Sequence, residues 1–142
     1  MTDIYGQDIK IDEAMQAVIA ANGEAVLTQG AETGCQDIKL RLFQYLGTLF
    51  YDKEHGSKLY DWIHEENTGA NRIGLVNEVA RRVRMDQRVA YGTVSGEVVS
   101  WDERGIQVSV SWQFIDADHL FNLVVEMNSN KNEMVIKDVN PY

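Results

Sequence analysis

NRIGLVNEVARRVRMDQRV, residues 71–89, is the stretch at which the periodicity of this chain changes. Before it apolar residues recur at helical spacing; after it they alternate. Within it Ile73, Val76, Ala80 and Val83 fall on one helical face, widened by Leu75 and Val79, so one side is expected to bury against a core. The other side carries Arg72, Arg81, Arg82 and Arg84. Residues 72–88 hold five Arg against Glu78 and Asp86, a net charge of +3, whereas residues 1–71 sum to −7 and residues 89–142 to −5. Cations at a helix C-terminus complement the macrodipole, which accounts for Arg81, Arg82 and Arg84 without a partner. The turn that ends the helix, Asp86-Gln87-Arg88, suggests a contact with another protein, with Arg84 and Arg81 beside it.

Downstream the alternation lasts nearly forty residues. Residues 93–101 read as a strand weakened by Gly96, where a bulge is expected, and residues 102–105 as a hairpin loop. In residues 106–115, Ile106, Val108, Val110, Trp112 and Phe114 point one way and Gln107, Ser109, Ser111 and Gln113 the other, the pattern of a half-buried strand. After a turn at 116–118, Phe121, Leu123, Val125 and Met127 form the inner face of a third strand. The tail 128–142 is polar apart from Met134, Val135 and Ile136, which fit a short edge strand or a contact with a neighbour.

Upstream, residues 1–13 read as an acidic arm with one short alternation at 8–11. Asn22-Gly23 between apolar runs predicts a tight hairpin over residues 15–27; a helix ended by the same pair is the competing reading. Residues 36–46 predict a core helix through Ile38, Leu42, Tyr45 and Leu46. Ser57 then caps a short helix over 58–65 that buries Leu59, Trp62 and Ile63. The expected fold is α+β: an N-terminal hairpin, about three helices, then a three-stranded antiparallel meander with open edges, in a single domain with an arm (1–13) and a tail (128–142). Open edges invite strand addition by another chain, and the strands carrying Val108, Val110, Trp112, Leu123 and Val125 form the sheet that would take part.

The totals narrow the function. At 142 residues and 44% hydrophobic content the chain suffices for one core. A net charge of −9 argues against non-specific nucleic-acid binding, which needs a broad cationic surface. One cysteine, Cys35, allows neither an internal disulfide nor a cysteine-based zinc site and fits a reducing compartment. No apolar run is long enough to span a membrane and the first residues do not read as a signal peptide, so a soluble, cytoplasm-made protein is expected. No internal repeat is evident.

Chemistry-bearing groupings are sparse. Asp116, Asp118 and His119 contain metal-ligand types, but acid-rich turns between strands are ordinary. Asp52 and Glu54, with His55, resemble an acid/base group in a charged turn with no apolar setting to raise a carboxyl pKa. No nucleophile elbow and no phosphate loop occur. Neither catalytic residues nor a cofactor are therefore expected. A small hydrolase using those acids, and an adaptor binding an acidic partner through the Arg face, are the alternatives.

From residue 34 to residue 127 the order of features resembles the baseplate wedge family of contractile phage tails, which includes baseplate assembly protein W and the sheath initiators. A helix leads into Leu-Gly-Thr-Leu-Phe-Tyr-Asp and then His-Gly-Ser-Lys-Leu, with Leu46, Thr48, Tyr51, Gly56 and Leu59 at comparable positions. The family's Glu-Pro-Arg triplet after its last long helix is matched by Asp86-Gln87-Arg88, with acid and arginine kept and proline absent. The resemblance implies a non-enzymatic virion component, assembled in the host cytoplasm, present in several copies in a six-fold ring. It implies contacts with the core bundle of other wedge proteins, with the tail sheath protein and with tube or hub proteins, and none with nucleic acid or membrane. Its sheet would start the sheath by exchanging strands.

Overall fold

In a computed structural model, the structure describes residues 5–12, 14–45, 47, 53, 55–131 and 133–138. Among these are two α-helices, α1 (Ala31–Phe43) and α2 (Gly69–Arg84), and four strands, β1 (Ser95–Asp102), β2 (Gly105–Trp112), β3 (Phe121–Asn128) and β4 (Glu133–Asp138). The strands form one antiparallel meander in the order β1-β2-β3-β4. Both helices pack on its apolar face.

This corrects the expected three helices and three strands. The segment expected as a helix over 58–65 is one 3-10 turn, Leu59–Trp62. A single turn already buries Leu59 and Ile63, and helix nucleation offers no gain for so few further residues. Ser57, expected as the cap, accepts from Leu59 N at 3.4 Å and donates its buried hydroxyl to the Leu42 carbonyl at 2.6 Å, so it ties the turn to the end of α1. The fourth strand comes from the tail. Met134 and Ile136 lie opposite Met127 and Val125 and complete the apolar face, so of the two outcomes the sequence left open for Met134, Val135 and Ile136 the edge strand is the one that forms; two inward residues are too few to decide this by period.

Helix α1 begins five residues before the expected start. Thr33 and Gly34 suggested a loop, yet both are buried. The Thr33 hydroxyl joins Thr28 at 2.7 Å and the Gly6 carbonyl at 3.1 Å. A Cβ on Gly34 would lie 2.7 Å from the Phe114 ring, so glycine here permits close helix–sheet packing. Helix α2 is capped by Thr68, whose hydroxyl accepts from Asn71 N at 3.1 Å. Leu75, Val79 and Val83 are fully buried beneath it. Ile73, assigned to the same stripe by spacing, is 65% exposed.

The inner face of the sheet is built from cross-strand pairs: Val108 with Val125, Val110 with Leu123, Trp112 with Phe121. The bulge lies between Val98 and Ser100 and not at Gly96. Val98 and Trp101 are three residues apart, so both can turn toward the core only if one extra residue, Val99, is inserted between them.

Residues 8–28 contain the hairpin expected from Asn22-Gly23, with Ile19 opposite Ala25 across the turn and no helix ended by that pair, and extend it into a three-sided unit that the sequence reading did not contain. Segments 8–12, 16–20 and 24–28 pair in a closed cycle: Lys10 N bonds Val26 O (2.7 Å), Val26 N bonds Val18 O (2.9 Å) and Val18 N bonds Lys10 O (2.9 Å). A second set closes the corners, Asp12 N to Gln16 O, Ala20 N to Glu24 O and Thr28 N to Asp8 O. The donors Lys10, Val18 and Val26 are spaced by eight residues, as are Asp12, Ala20 and Thr28. The result is a three-sided collar with a structural repeat. Its sides are the apolar pairs Ile9/Leu27, Ile11/Ala17 and Ile19/Ala25, each a non-hydrogen-bonded pair in which side chains approach most closely. The arm, read as having one short alternation at 8–11, packs on its own chain over residues 5–12. Gln36 of α1 fixes the collar, accepting from Ile11 N at 2.9 Å and donating to Ile9 O at 2.8 Å.

Candidate interaction site at the end of helix α2

The chain leaves α2 through Asp86-Gln87-Arg88 and is immediately tied to the far end of β2. Ile115 N donates to Arg88 O at 2.9 Å and Ala90 N to Gln113 O at 2.7 Å, flanking a bridge between Val89 and Phe114. The turn is therefore a rigid junction between helix layer and sheet.

Within it Asp86 is 6% exposed and accepts from the Arg88 backbone N–H at 2.9 Å. The Arg88 guanidinium returns to the same carboxylate, Nε to Oδ1 at 2.9 Å and Nη2 to Oδ2 at 2.6 Å, a bidentate fork. Nη2 also reaches Asp37 of α1 at 2.9 Å. The ring of Tyr5 lies under the guanidinium, 5.9 Å from its carbon. Tyr5 in turn packs edge-on against Phe114 and donates its hydroxyl to Asp116. Arg88 thus joins α2, α1 and the N-terminal segment. The hydrogen bonds of its guanidinium are made through Nε and Nη2.

The electrostatics follow from this crowding. Arg88 is held above its ordinary pKa, first by the hydrogen bonds it donates to Asp86 and then by that to Asp37, with burial pulling the other way. Asp37 is raised, first by burial and also by its hydrogen bond with Asp8, with Arg88 pulling the other way. Burial, then Asp116, raises the Tyr5 hydroxyl. One guanidinium thus faces Asp86 and Asp37, so the cluster is not a free cationic patch.

The other residues singled out by sequence divide. Gln87, Arg84 and Arg81 are exposed. Arg82 is 5% exposed and turned inward, its Nε 2.8 Å from Glu78. Gln87 and Arg84 line a concave surface with Val89, Ala90 and Tyr91. Tyr91, fully exposed, was missed by the sequence reading, as were Asp37 and Tyr5. For Tyr91 the signal is an aromatic residue beside a turn glycine, outside any apolar period. Asp37 and Tyr5 gave none, being 51 and 83 positions from Arg88.

Val108, Val110, Trp112, Leu123 and Val125 are all fully buried and lie on the two inner strands β2 and β3; all but Trp112, which pairs with Phe121 alone, are paired on both sides within the chain. They are core. Among the described residues the outermost strands are β1 and β4.

Asp52 and Glu54 lie outside the described residues. His119 Nδ1 is 3.2 Å from Asp118 Oδ1 on the surface, its ring against Phe121, while Asp116 accepts from Tyr5. Among the described residues no group of three His, Cys, Asp or Glu is placed to hold a metal ion. Cys35 is buried in α1, and no described helix is long and apolar enough to cross a membrane. No family model matches the chain, and no curated protein matches it.

Proposed function

We propose that this protein is a structural component of a contractile-tail baseplate, a sheath initiator that joins the wedge proteins through the turn at Asp86-Gln87-Arg88 and templates sheath by strand addition. The reading rests on the resemblance over residues 34–127. The observation that carries it furthest is that, among the described residues, no strand pairs with the outer side of β1 or β4, the eight-residue β1 forming one edge. An edge strand of this length presents unpaired backbone groups on which an extended segment can add, with side-chain pockets setting register. Beside it the concave surface formed by Arg84, Gln87 and Tyr91 offers the side-chain types that anchor interfaces.

The test is assembly. Particles made without this protein are expected to carry tubes and no sheath, and Val99→Lys, a charge on the β1 edge, is expected to reproduce that phenotype in a folded protein. Normal sheathed tails from the deletion would sink the reading.

A further inference from the structure

The collar carries an exposed apolar ridge. Ile9, Ile19 and Leu27 are 52%, 57% and 50% exposed. Leu27 lies opposite Ile9, and Ile19 lies opposite Ala25, two residues from Leu27 on the same strand face, so the three form one surface. The collar's third side, Ile11/Ala17, leans on α1 through Gln36. Charge around the ridge is acidic. Lys10 is occupied by Glu32 at 3.1 Å, leaving Glu24 exposed beside Ala25. An apolar strip on a small domain with an acidic rim marks a contact surface.

A surface of opposite character lies on the same molecule. Between α2 and β1 runs an apolar groove lined by Ile73, Val76 and Val98, with Arg72 at its wall. Ridge and groove are complementary in shape class, polarity and charge.

We propose that the occupant of the groove is the collar of a second copy of this chain, Ile19 and Leu27 seated on Ile73, Val76 and Val98, with Glu24 facing Arg72. The contact is head-to-tail, so each copy keeps one free ridge and one free groove, and repetition gives a ring if the rotation closes. It does not depend on the baseplate reading, and either stands if the other fails.

The test is sedimentation of the full chain from micromolar to near-millimolar concentration. Wild type is expected to associate with increasing concentration, more weakly at high salt. Ile19→Asp/Leu27→Asp and Ile73→Asp are each expected to weaken association about tenfold or more, and mixing them should give a one-to-one dimer that grows no further, since one intact ridge meets one intact groove. Arg72→Glu with Glu24→Arg should associate better than either alone; a glutamate in the first turn of α2 also suits the helix dipole, which protects folding. Circular dichroism confirms that each variant is folded. A wild type that stays monomeric throughout, association untouched by Ile73→Asp, or a mixture of folded variants that fails to pair overturns the proposal.

Discussion

Arg88 and Asp86, two residues apart, are joined by three hydrogen bonds: the fork of Nε and Nη2 on the two carboxylate oxygens, and the Arg88 backbone N–H on Oδ1. The pair is first an internal strut and only then a surface. An arginine whose Nη2 also holds Asp37 has little of its charge left to offer a partner.

Arg88→Ala is therefore expected to destabilise the isolated domain, by about 2–3 kcal/mol, because Asp86 stays buried with its partner gone. Urea denaturation measures this. Gln87→Ala and Arg84→Ala, both exposed, should fall within about 0.5 kcal/mol of wild type. A stable Arg88→Ala would mean that the fork contributes nothing to folding. The clean probes of partner binding are Gln87, Arg84 and Tyr91.

Gln36→Leu should detach the collar without unfolding the sheet. The substitution strands Ile9 O and Ile11 N, at a cost of roughly 1–3 kcal/mol. Hydrogen exchange should quicken across residues 8–28 while β2 and β3 keep their protection. Uniform loss over the whole chain would show that collar and sheet unfold as one.

Asp37 gives a pH dependence with a definite sign. Its folded-state pKa lies above its ordinary value of 3.8, so between these two pKa values the native state binds more protons than the unfolded chain, and this group's contribution to stability falls as pH rises. Asp37→Asn removes that dependence. Relative to wild type, the variant should therefore gain stability as pH rises from about 4. A stability difference constant from pH 4 to pH 7 would refute the shift.

Two glycines should respond in opposite directions to alanine. A Cβ at Gly105, which has φ +156°, would lie 2.0 Å from the Met127 carbonyl oxygen; Gly105→Ala should cost about 2 kcal/mol or more. At Gly69, the first residue of α2, nothing lies within 4 Å of the added Cβ. Gly69→Ala should stabilise by about 0.4–1 kcal/mol, chiefly by restricting the unfolded chain. Thermal unfolding of the two variants decides both.

The parts of the fold that could be read in the sequence are those whose signal is local. β2 announced itself because Ile106, Val108, Val110 and Trp112 alternate over a full strand, and α2 because its stripe runs for several turns. β4 carries only two inward residues, Met134 and Ile136, too few to establish a period. The start of α1 was hidden because Thr33 and Gly34 look like loop residues until Phe114, eighty positions away, is seen to require the space. The closure of the collar escaped because it lies in backbone bonds over three short segments: Val18 and Val26 match, as do Ile11, Ile19 and Leu27, but Lys10 breaks the set and three copies of eight residues are too few to stand out as a repeat. The same holds at the site. Asp86 and Arg88 stand together in the chain, whereas Asp37 and Tyr5 reach them only through the tertiary fold.

The collar also bears on how this chain is put together. Asp8 and Thr28 meet three times, Thr28 N and the Thr28 hydroxyl on the Asp8 carbonyl and Asp8 N on the Thr28 hydroxyl at 3.0 Å, so the chain leaves the cycle at the corner where it entered. Residues 8–28 are an excursion that returns to its origin. Such a module can be lengthened, shortened or exchanged without rerouting the helices and strands that follow, and what it presents to its surroundings can change while the domain behind it stays the same.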